Sequence, residues 1–122
     1  VIGASAPSPQ EYEYAVEVGM LLAGKKLAVV CGGRGGVMEG VCRGAKSRGG
    51  LTIGILPTEE KATANEHVDI VIPTSLGTAR NRIVATCGEA AIAIGGGFGT
   101  LSEIAFALER KLPVIALSSW LL

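Results

Sequence analysis

The 122-residue sequence predicts one α/β domain, residues 1–122, in which a doubly wound parallel sheet carries helices on both faces. Three observations support this prediction. Short apolar runs alternate with amphipathic runs, and the connections between them are brief. Hydrophobic residues make up 48% of the chain but aromatic residues only 4%, so the core consists of small aliphatic side chains, as in a sheet buried on both faces. Two glycine clusters directly follow apolar runs, as tight strand-to-helix turns do.

The first half of the chain predicts three strands and two helices. The strands are 1–4, 26–31 and 51–56, and the helices run from residue 9 or 10 to about 23 and from 37 to about 47. The first strand enters close to its glycine, and we expect its earlier part to precede Val1. Pro9 favours the first turn of a helix, Gly24 ends that helix, and Gly49 with Gly50 closes the next one.

The second half predicts three more strands and two more helices. Pro57 stops the third strand, the polar stretch 58–67 is an exposed loop, and Pro73 ends the fourth strand. The strands are 68–72, 90–94 and 113–117, and the helices run from 77 or 78 to about 87 and from 101 to 111. Parallel strands place their carboxyl ends on one edge, where ligands bind. We therefore expect both glycine clusters, the loop 5–9 and the segment 75–80 to line one cleft.

The segment 95–103, which reads GGGFGTLSE, lies between the fifth strand and the last helix and is typical of a phosphate site. Glycine has no Cβ to keep a ligand from the backbone, and the free N–H groups and dipole of a helix N-terminus attract an anion. The cluster 32–36, GGRGG, follows the second strand in the same way. The two clusters together predict a phosphate-binding cleft.

Other phosphate and catalytic motifs do not fit this sequence. A dinucleotide fingerprint needs GxGxxG with an acidic residue about 20 positions later, and a P-loop needs a lysine after its glycines. Neither spacing occurs, and the sequence contains no HExxH or GxSxG. Nicotinamide dinucleotide enzymes, P-loop NTPases, metalloproteases and α/β-hydrolases are therefore disfavoured.

Charge and cysteine content indicate a small partner and a reducing compartment. Eleven basic residues balance eleven acidic ones without a basic run, which disfavours binding to a nucleic acid polymer or to a membrane. Cys31, Cys42 and Cys87 are odd in number and lack CxxC spacing, so we expect free thiols in a cytoplasmic protein. With one histidine, His67, we expect no metal site.

At this point the residues resemble a known superfamily. The segments 32–40, GGRGGVMEG, and 95–103, with the run Thr78-Ala79-Arg80-Asn81 between them, are similar to the Lonely-guy superfamily, whose members are often mislabelled as lysine decarboxylases. The resemblance implies a Rossmann-like fold and a homodimer or higher homo-oligomer. In its enzyme branch it implies hydrolysis of the N-glycosidic bond of nucleoside 5′-monophosphates. The form GGRGGVMEG with ARN is closer to a sister branch that includes molybdenum cofactor carrier proteins.

The resemblance also implies functional residues. The glutamate that ends the family's PGGxGTxxE pattern falls on Glu103, and an arginine on the preceding helix falls on Arg80, 20 residues before the motif threonine. Gly95 stands where the enzyme branch has proline, and Glu39 where it has glycine. The phosphate-binding backbone falls on Gly96, Gly97, Gly99 and Thr100 in one cluster and on Gly32, Gly33, Gly35 and Gly36 in the other.

Several of these residues also have purely structural interpretations. Glu103 fits a capping box with Thr100, in which it would only start the helix. Arg80 opposes the macrodipole of its helix, which suggests a bound anion, but a surface glutamate would also pair with it and Arg82 competes for the same role. Arg34 either clamps the phosphate with its fork of donors or is solvated.

Two functional hypotheses of different classes follow. In the first, which we favour, the cleft is a carrier or sensor that binds a nucleotide, phosphate or molybdenum cofactor and releases it unchanged, with no resident cofactor required. In the second, the protein is a phosphoribohydrolase and not a lysine decarboxylase. Glu103 then stabilises positive charge on the sugar while Arg80 orients the phosphate or ribose.

Overall fold

The computed structural model describes residues 1–120. Within them, six strands form the centre of the protein. They are β1 (Ile2–Gly3), β2 (Val29–Cys31), β3 (Thr52–Leu56), β4 (Ile70–Pro73), β5 (Ala91–Ile94) and β6 (Val114–Leu117). They pair in parallel as two three-stranded sheets, β2-β3-β4 and β1-β5-β6. The sheets meet where the Val1 amine donates a hydrogen bond to the Val30 carbonyl oxygen at 2.7 Å. β1 therefore lies beside β2.

The sheet grows in two directions from β1. The chain adds β2, β3 and β4 on one side, and then returns to add β5 and β6 on the other side. This order is doubly wound, and its switch point lies between β1 and β5. The α/β, Rossmann-like prediction is confirmed, and the carboxyl ends of β1 and β5 mark the place where such folds bind ligands.

Four α-helices cover the two faces of the sheet. They are α1 (Pro9–Gly24), α2 (Val37–Ser47), α3 (Arg80–Cys87) and α4 (Phe98–Glu109). Successive side chains of a strand point to opposite faces. Ile94 of β5 accordingly packs with Val41 of α2, whereas Ala93 packs with Val84 of α3 and Ile104 of α4. Within residues 1–120 no helix is long and apolar enough to span a membrane.

Helix α1 begins at a capping box that fixes the loop after β1. The Ser8 hydroxyl accepts a hydrogen bond from the Glu11 backbone N–H at 3.2 Å, and the Glu11 carboxylate accepts one from the Ser8 N–H at 2.8 Å. Pro9 occupies the first turn, where its missing N–H costs no hydrogen bond. The predicted start of this helix at residue 9 or 10 is confirmed.

Several element boundaries differ from the predicted ones, and β4 and α3 begin at Ile70 and Arg80, two or three residues later than predicted. β2 begins at Val29 and not at residue 26, because Lys26 has a φ of 59°, outside the extended region. A one-turn 3-10 helix, Lys61–Thr63, interrupts the stretch predicted as an irregular loop. Helix α4 begins at Phe98, three residues before the predicted start, because Gly97 is its N-cap. The last difference changes the environment of the segment 95–103.

Two glycines allow α1 and α2 to pack in direct backbone contact. A Cβ at Gly19 would overlap the Val41 carbonyl oxygen, and a Cβ at Gly44 would overlap the Val16 carbonyl oxygen. Both glycines are buried. The close approach places α2 firmly against the sheet, and α2 follows directly from the first glycine cluster.

We expect Gly44→Ala to lower the free energy of unfolding by about 1–3 kcal/mol, because the added methyl group overpacks the contact between α1 and α2. Gly24→Ala is the matched control, since a Cβ there would meet nothing within 4 Å. Its stability should be unchanged or up to about 1 kcal/mol higher, because alanine favours the helix. Urea denaturation measures both variants. Equal losses would contradict the close helix contact.

Candidate functional site

A cavity of about 320 Å³ opens at the carboxyl edge of the sheet, beside the switch point between β1 and β5. Each of the four segments expected to meet there contributes to its wall. Ser5 comes from the loop after β1, Gly32 follows β2, and Arg80 begins α3. The turn after β5 and the first turn of α4 supply Gly97, Phe98, Gly99 and Thr100.

Arg80 enters the cavity as a partly buried charge with a free donor. Its Nη1 donates to Asn81 Oδ1, whereas its buried Nε has no hydrogen-bond partner within residues 1–120. A Cβ at Gly32 would lie 2.9 Å from Arg80 Nη2, so the missing side chain leaves room for the guanidinium. Burial lowers the pKa of Arg80 below its usual value, and the Glu103 carboxylate opposes that shift. Arg80 therefore brings a positive charge to the cavity wall, while its Nε is enclosed by protein atoms.

The competing arginine, Arg82, lies outside the cavity. Its side chain is exposed, its Nη2 lies 3.6 Å from Glu109 Oε1 on α4, and its guanidinium stacks over the Phe106 ring at 5.5 Å from the centroid. Arg80 and Arg82 are two residues apart on a helix, so they point in different directions. Of the two arginines, Arg80 faces the cleft.

Glu103 is a buried carboxyl group in the wall of the same cavity. It is only 7% exposed, and this burial raises its pKa to about 7, although the Arg80 charge acts in the opposite direction. The capping interpretation is wrong, because Gly97 and not Thr100 is the N-cap, and Thr100 lies inside the first turn. Glu103 therefore contributes a carboxyl group that changes its protonation near neutral pH.

Five of the predicted phosphate-binding residues do not line the cavity. They are Gly33, Arg34, Gly35, Gly36 and Gly96. Gly33 has a φ of 79°, and a Cβ there would lie 3.1 Å from the Gly54 Cα on β3. Gly36 has a φ of 68° and lies against the carbonyl groups of Ala4 and Ser5. These two glycines thus shape the turn by packing against backbone.

The other three of these residues lie apart from the cavity wall for different reasons. The Arg34 side chain is exposed, while its carbonyl oxygen accepts a hydrogen bond from Asn65 Nδ2 at 2.7 Å. Gly35 is exposed, with nothing within 4 Å of a Cβ. Gly96 has a φ of 105° and its α-carbon lies against the Thr100 side chain. Six predicted residues remain together at the cavity: Gly32, Arg80, Gly97, Gly99, Thr100 and Glu103.

The sequence reasoning assigned no role to several cavity residues. Asn81 is 7% exposed and accepts the hydrogen bond from Arg80, so it holds the guanidinium in place. Phe98 is 83% exposed although it is a large apolar side chain. Its position between Gly97 and Gly99 could have marked it in the sequence, since a bulky side chain is unexpected in a loop whose glycines let a ligand approach the backbone. Met38 on α2 gave no such signal.

Two buried thiols lie directly beneath the first glycine cluster. Cys31 Sγ and Cys42 Sγ are 3.5 Å apart, and the Gly33 N–H donates to Cys31 Sγ at 3.3 Å. The hydrogen bond with Cys42 lowers the pKa of Cys31 to about 7, against the effect of burial, whereas the same contact raises the pKa of Cys42. Both cysteines are free and fully buried, as expected for small core residues.

The raised pKa of Glu103 predicts a loss of stability with rising pH. The folded protein holds this proton between an ordinary pKa of 4.5 and about 7, whereas the unfolded chain loses it, so stability falls as pH rises across that interval. Above pH 7 the buried, ionised Glu103 lowers the free energy of unfolding by about 3 kcal/mol relative to its value below pH 4.5. We expect Glu103→Gln to remove this cost and to exceed the wild type in stability at about pH 8 but not at about pH 4. Urea denaturation across pH measures the difference.

The exposed Glu109 on the same helix provides the control for that experiment. Glu109→Gln should keep the pH dependence of the wild type, because the side chain is 65% exposed. A Glu103→Gln variant with the wild-type pH dependence would contradict the burial argument.

Comparison with known proteins places this geometry among ligand-binding relatives. The molybdenum cofactor binding protein from the phototrophic bacterium Rippkaea orientalis matches with a TM-score of 0.94 and 42% identity, over 98% of this chain and 74% of that one. The molybdenum cofactor carrier protein from Chlamydomonas reinhardtii matches with a TM-score of 0.89 and 37% identity, over 98% of this chain and 75% of that one.

A sequence relative carries a different name. The cytokinin riboside 5′-monophosphate phosphoribohydrolase of Mycobacterium tuberculosis is 33% identical over 105 residues, which are 83% of this chain and 56% of that protein. This chain thus spans little more than half of that relative's length. The model of the SLOG cluster4 family matches residues 1–121. The resemblance to the Lonely-guy superfamily is confirmed, and the chain belongs to the SLOG cluster4 family.

Proposed function

We propose that the cavity binds a phosphorylated small molecule and that its phosphate lies between Arg80 and the first turn of α4. The observation that carries this proposal is the Arg80 guanidinium in the cavity wall, a half-buried cation that forms no salt bridge within residues 1–120 and whose enclosed Nε has no hydrogen-bond partner there. A buried donor left unpaired costs about 1–3 kcal/mol, and more when it is charged. The negative charge of a phosphate beside the guanidinium would offset that cost.

The start of α4 offers the second half of the phosphate site. Its first-turn N–H groups have no partner within the helix, and the helix dipole adds positive potential there. Gly97 and Gly99 leave this end open, since a Cβ at Gly97 would meet nothing within 4 Å and one at Gly99 only Asn81 Nδ2 at 3.8 Å. A phosphate can therefore reach the backbone from one side and the guanidinium from the other.

We propose further that the ligand is carried and released unchanged, as in a carrier or sensor. The high similarity to proteins whose names specify molybdenum cofactor binding and carriage supports this choice. Such a ligand also combines a phosphate with a larger organic group. A nucleotide would meet the same requirement, and no resident cofactor is needed for either.

The position of Glu103 favours a second candidate, a phosphoribohydrolase. Water would attack C1′ of a nucleoside 5′-monophosphate, the bond from C1′ to the base would break, and a proton from water would end on the base, giving free base and ribose 5-phosphate. An ionised Glu103 would stabilise the positive charge that develops on the sugar. Its pKa of about 7 keeps both protonation states populated near neutral pH. The Mycobacterium tuberculosis relative supports this candidate.

The assembly we propose is a homodimer in the cytoplasm, built on the outer surfaces of α3 and α4. The apolar residues on these helices divide between two directions. Val84 and Ile104 are buried against the sheet, whereas Ile83, Ala105 and Leu108 are exposed. A second copy would cover the exposed set, and a reducing compartment would keep the cysteines free.

We expect Arg80→Ala to weaken the binding of AMP by about 10- to 100-fold, because a charge-assisted hydrogen bond to phosphate is lost. Isothermal titration calorimetry measures the change, with ribose 5-phosphate as a second probe. Arg82→Ala is the matched control and should bind as the wild type does, since Arg82 pairs with Glu109 outside the cavity. Unchanged affinity in Arg80→Ala would remove this residue from the site.

Base release separates the two candidate functions. We expect the wild type to leave a panel of nucleoside 5′-monophosphates intact while these still raise its melting temperature, as a carrier does. Chromatography for free base provides the measurement. Base release that disappears in Glu103→Gln, with binding retained, would establish the phosphoribohydrolase in place of the carrier. Base release that persists in Glu103→Gln would point to a contaminating enzyme.

A further inference from the structure

We propose that the Phe98 ring is the surface on which a planar heteroaromatic ring of the ligand stacks, and that Trp120 holds Phe98 in position. The inference rests on the proposed phosphate site and adds the chemical class of the rest of the ligand. Phe98 lines the cavity, and 83% of its surface is exposed. Of the exposed large apolar side chains within residues 1–120, Phe98 is the most exposed and is the one that lines this cavity.

The backbone around Phe98 keeps its ring accessible. The residue is the first of α4 and lies between Gly97 and Gly99, which add no side chains beside it. It begins the same helical turn whose N–H groups we assign to the phosphate. In a nucleotide or a pterin phosphate, several bonds separate the phosphate from the ring. The first-turn N–H groups and the Phe98 ring are therefore adjacent, as the phosphate and the ring of such a ligand would require.

Trp120 fixes the Phe98 ring from outside the cavity. The two rings stack with their centroids 6.2 Å apart and an angle of 25° between their planes. The Trp120 Nε1–H donates to the Gly97 carbonyl oxygen at 3.0 Å, and the Ser119 hydroxyl donates to the Gly95 carbonyl oxygen at 2.5 Å. The segment after β6 thus binds the glycine turn at two points. Trp120 does not line the cavity, so it is a positioning residue.

Stacking determines what kind of ligand this site would accept. Every nucleobase and pterin presents a polarisable face, so an aromatic side chain binds the ring without reading its hydrogen-bonding edge. The site would therefore require a planar ring on the phosphorylated ligand and would tolerate different rings. A sugar phosphate without a ring would lose this contact.

The test compares ligands that have a ring with one that lacks it. AMP and neopterin phosphate carry a ring, and ribose 5-phosphate does not. We expect Phe98→Ala to weaken AMP and neopterin phosphate by about tenfold or more and to leave ribose 5-phosphate unchanged. Phe98→Tyr should bind all three as the wild type does. Titration calorimetry gives the affinities, and free adenine is assayed in the same samples.

Trp120→Ala tests the positioning role, because it leaves the Phe98 ring in place but removes its support. We expect an intermediate loss of affinity for AMP and none for ribose 5-phosphate. Trp120→Phe should restore part of the AMP affinity, because it keeps the stack without the N–H donor. Leu21→Ala is the matched control, since Leu21 is a 66% exposed apolar residue on α1 outside this cavity.

The outcomes separate this inference from the phosphate site on which it rests. Equal losses for AMP and ribose 5-phosphate in Phe98→Ala, or no loss for either, would overturn the stacking surface and leave the phosphate site intact. A variant that loses AMP affinity only because it changes from dimer to monomer, seen by light scattering, would assign Phe98 to an interface between copies and overturn the inference. A wild type that binds none of the three probes would overturn both proposals.

Discussion

The site depends on backbone segments that approach each other too closely for side chains. A Cβ at Gly3 would overlap the Ile94 carbonyl oxygen, and one at Gly36 would overlap the Ala4 carbonyl oxygen. A Cβ at Gly32 would crowd both Met38 Sδ and Arg80 Nη2. These contacts hold β1, β2 and β5 against the start of α2. The space that the missing side chain of Gly32 leaves is the space that the Arg80 guanidinium enters.

The resulting cavity combines two groups that burial affects in opposite ways. Burial lowers the pKa of Arg80 and raises the pKa of Glu103, and each group partly offsets the shift of the other. The ion pairs within residues 1–120 do not include these two, so the offset is a Coulomb interaction over more than salt-bridge distance. An anion near Arg80 would stabilise its charge more directly. In the free protein the buried charge of Arg80 therefore lacks a close anionic partner within residues 1–120, and the phosphate of a ligand would supply one.

Local sequence signals predicted the order of the elements well. Pro9, Gly24 and Pro57 mark chain conformations that depend on their own backbone chemistry, and the matching boundaries are close to those of the structure. The predicted start of α4 was wrong because Thr100 and the glycines before it are all acceptable N-caps, and the helix begins after Gly97. The sequence also does not distinguish a glycine that packs against backbone from one that lines the cavity. Gly33 packs against a neighbouring strand, whereas Gly97 faces the cavity.

Side-chain direction was the other property that the sequence left open. Arg80 and Arg82 are the same residue type near the start of one helix, so the sequence does not distinguish their roles. The position of α4 does, because Glu109 and Phe106 on that helix contact Arg82. The stacking of Phe98 on Trp120 joins residues 22 positions apart, through the return of the chain at β6. Contacts of this kind follow from the tertiary fold, and no local pattern encodes them.

The proposed carrier and the proposed hydrolase would use the same cavity and would differ mainly in whether the Glu103 carboxyl group is protonated. A phosphate dianion bound near Arg80, as proposed, would add negative charge beside Glu103 and favour its protonated carboxyl group, so binding near neutral pH would be accompanied by proton uptake. In the proposed carrier, the neutral form would donate a hydrogen bond and hold the ligand without cleaving it. In the proposed hydrolase, the ionised form would stabilise a positive sugar. With a pKa of about 7 in the free protein, small changes around Glu103 decide which form meets the ligand.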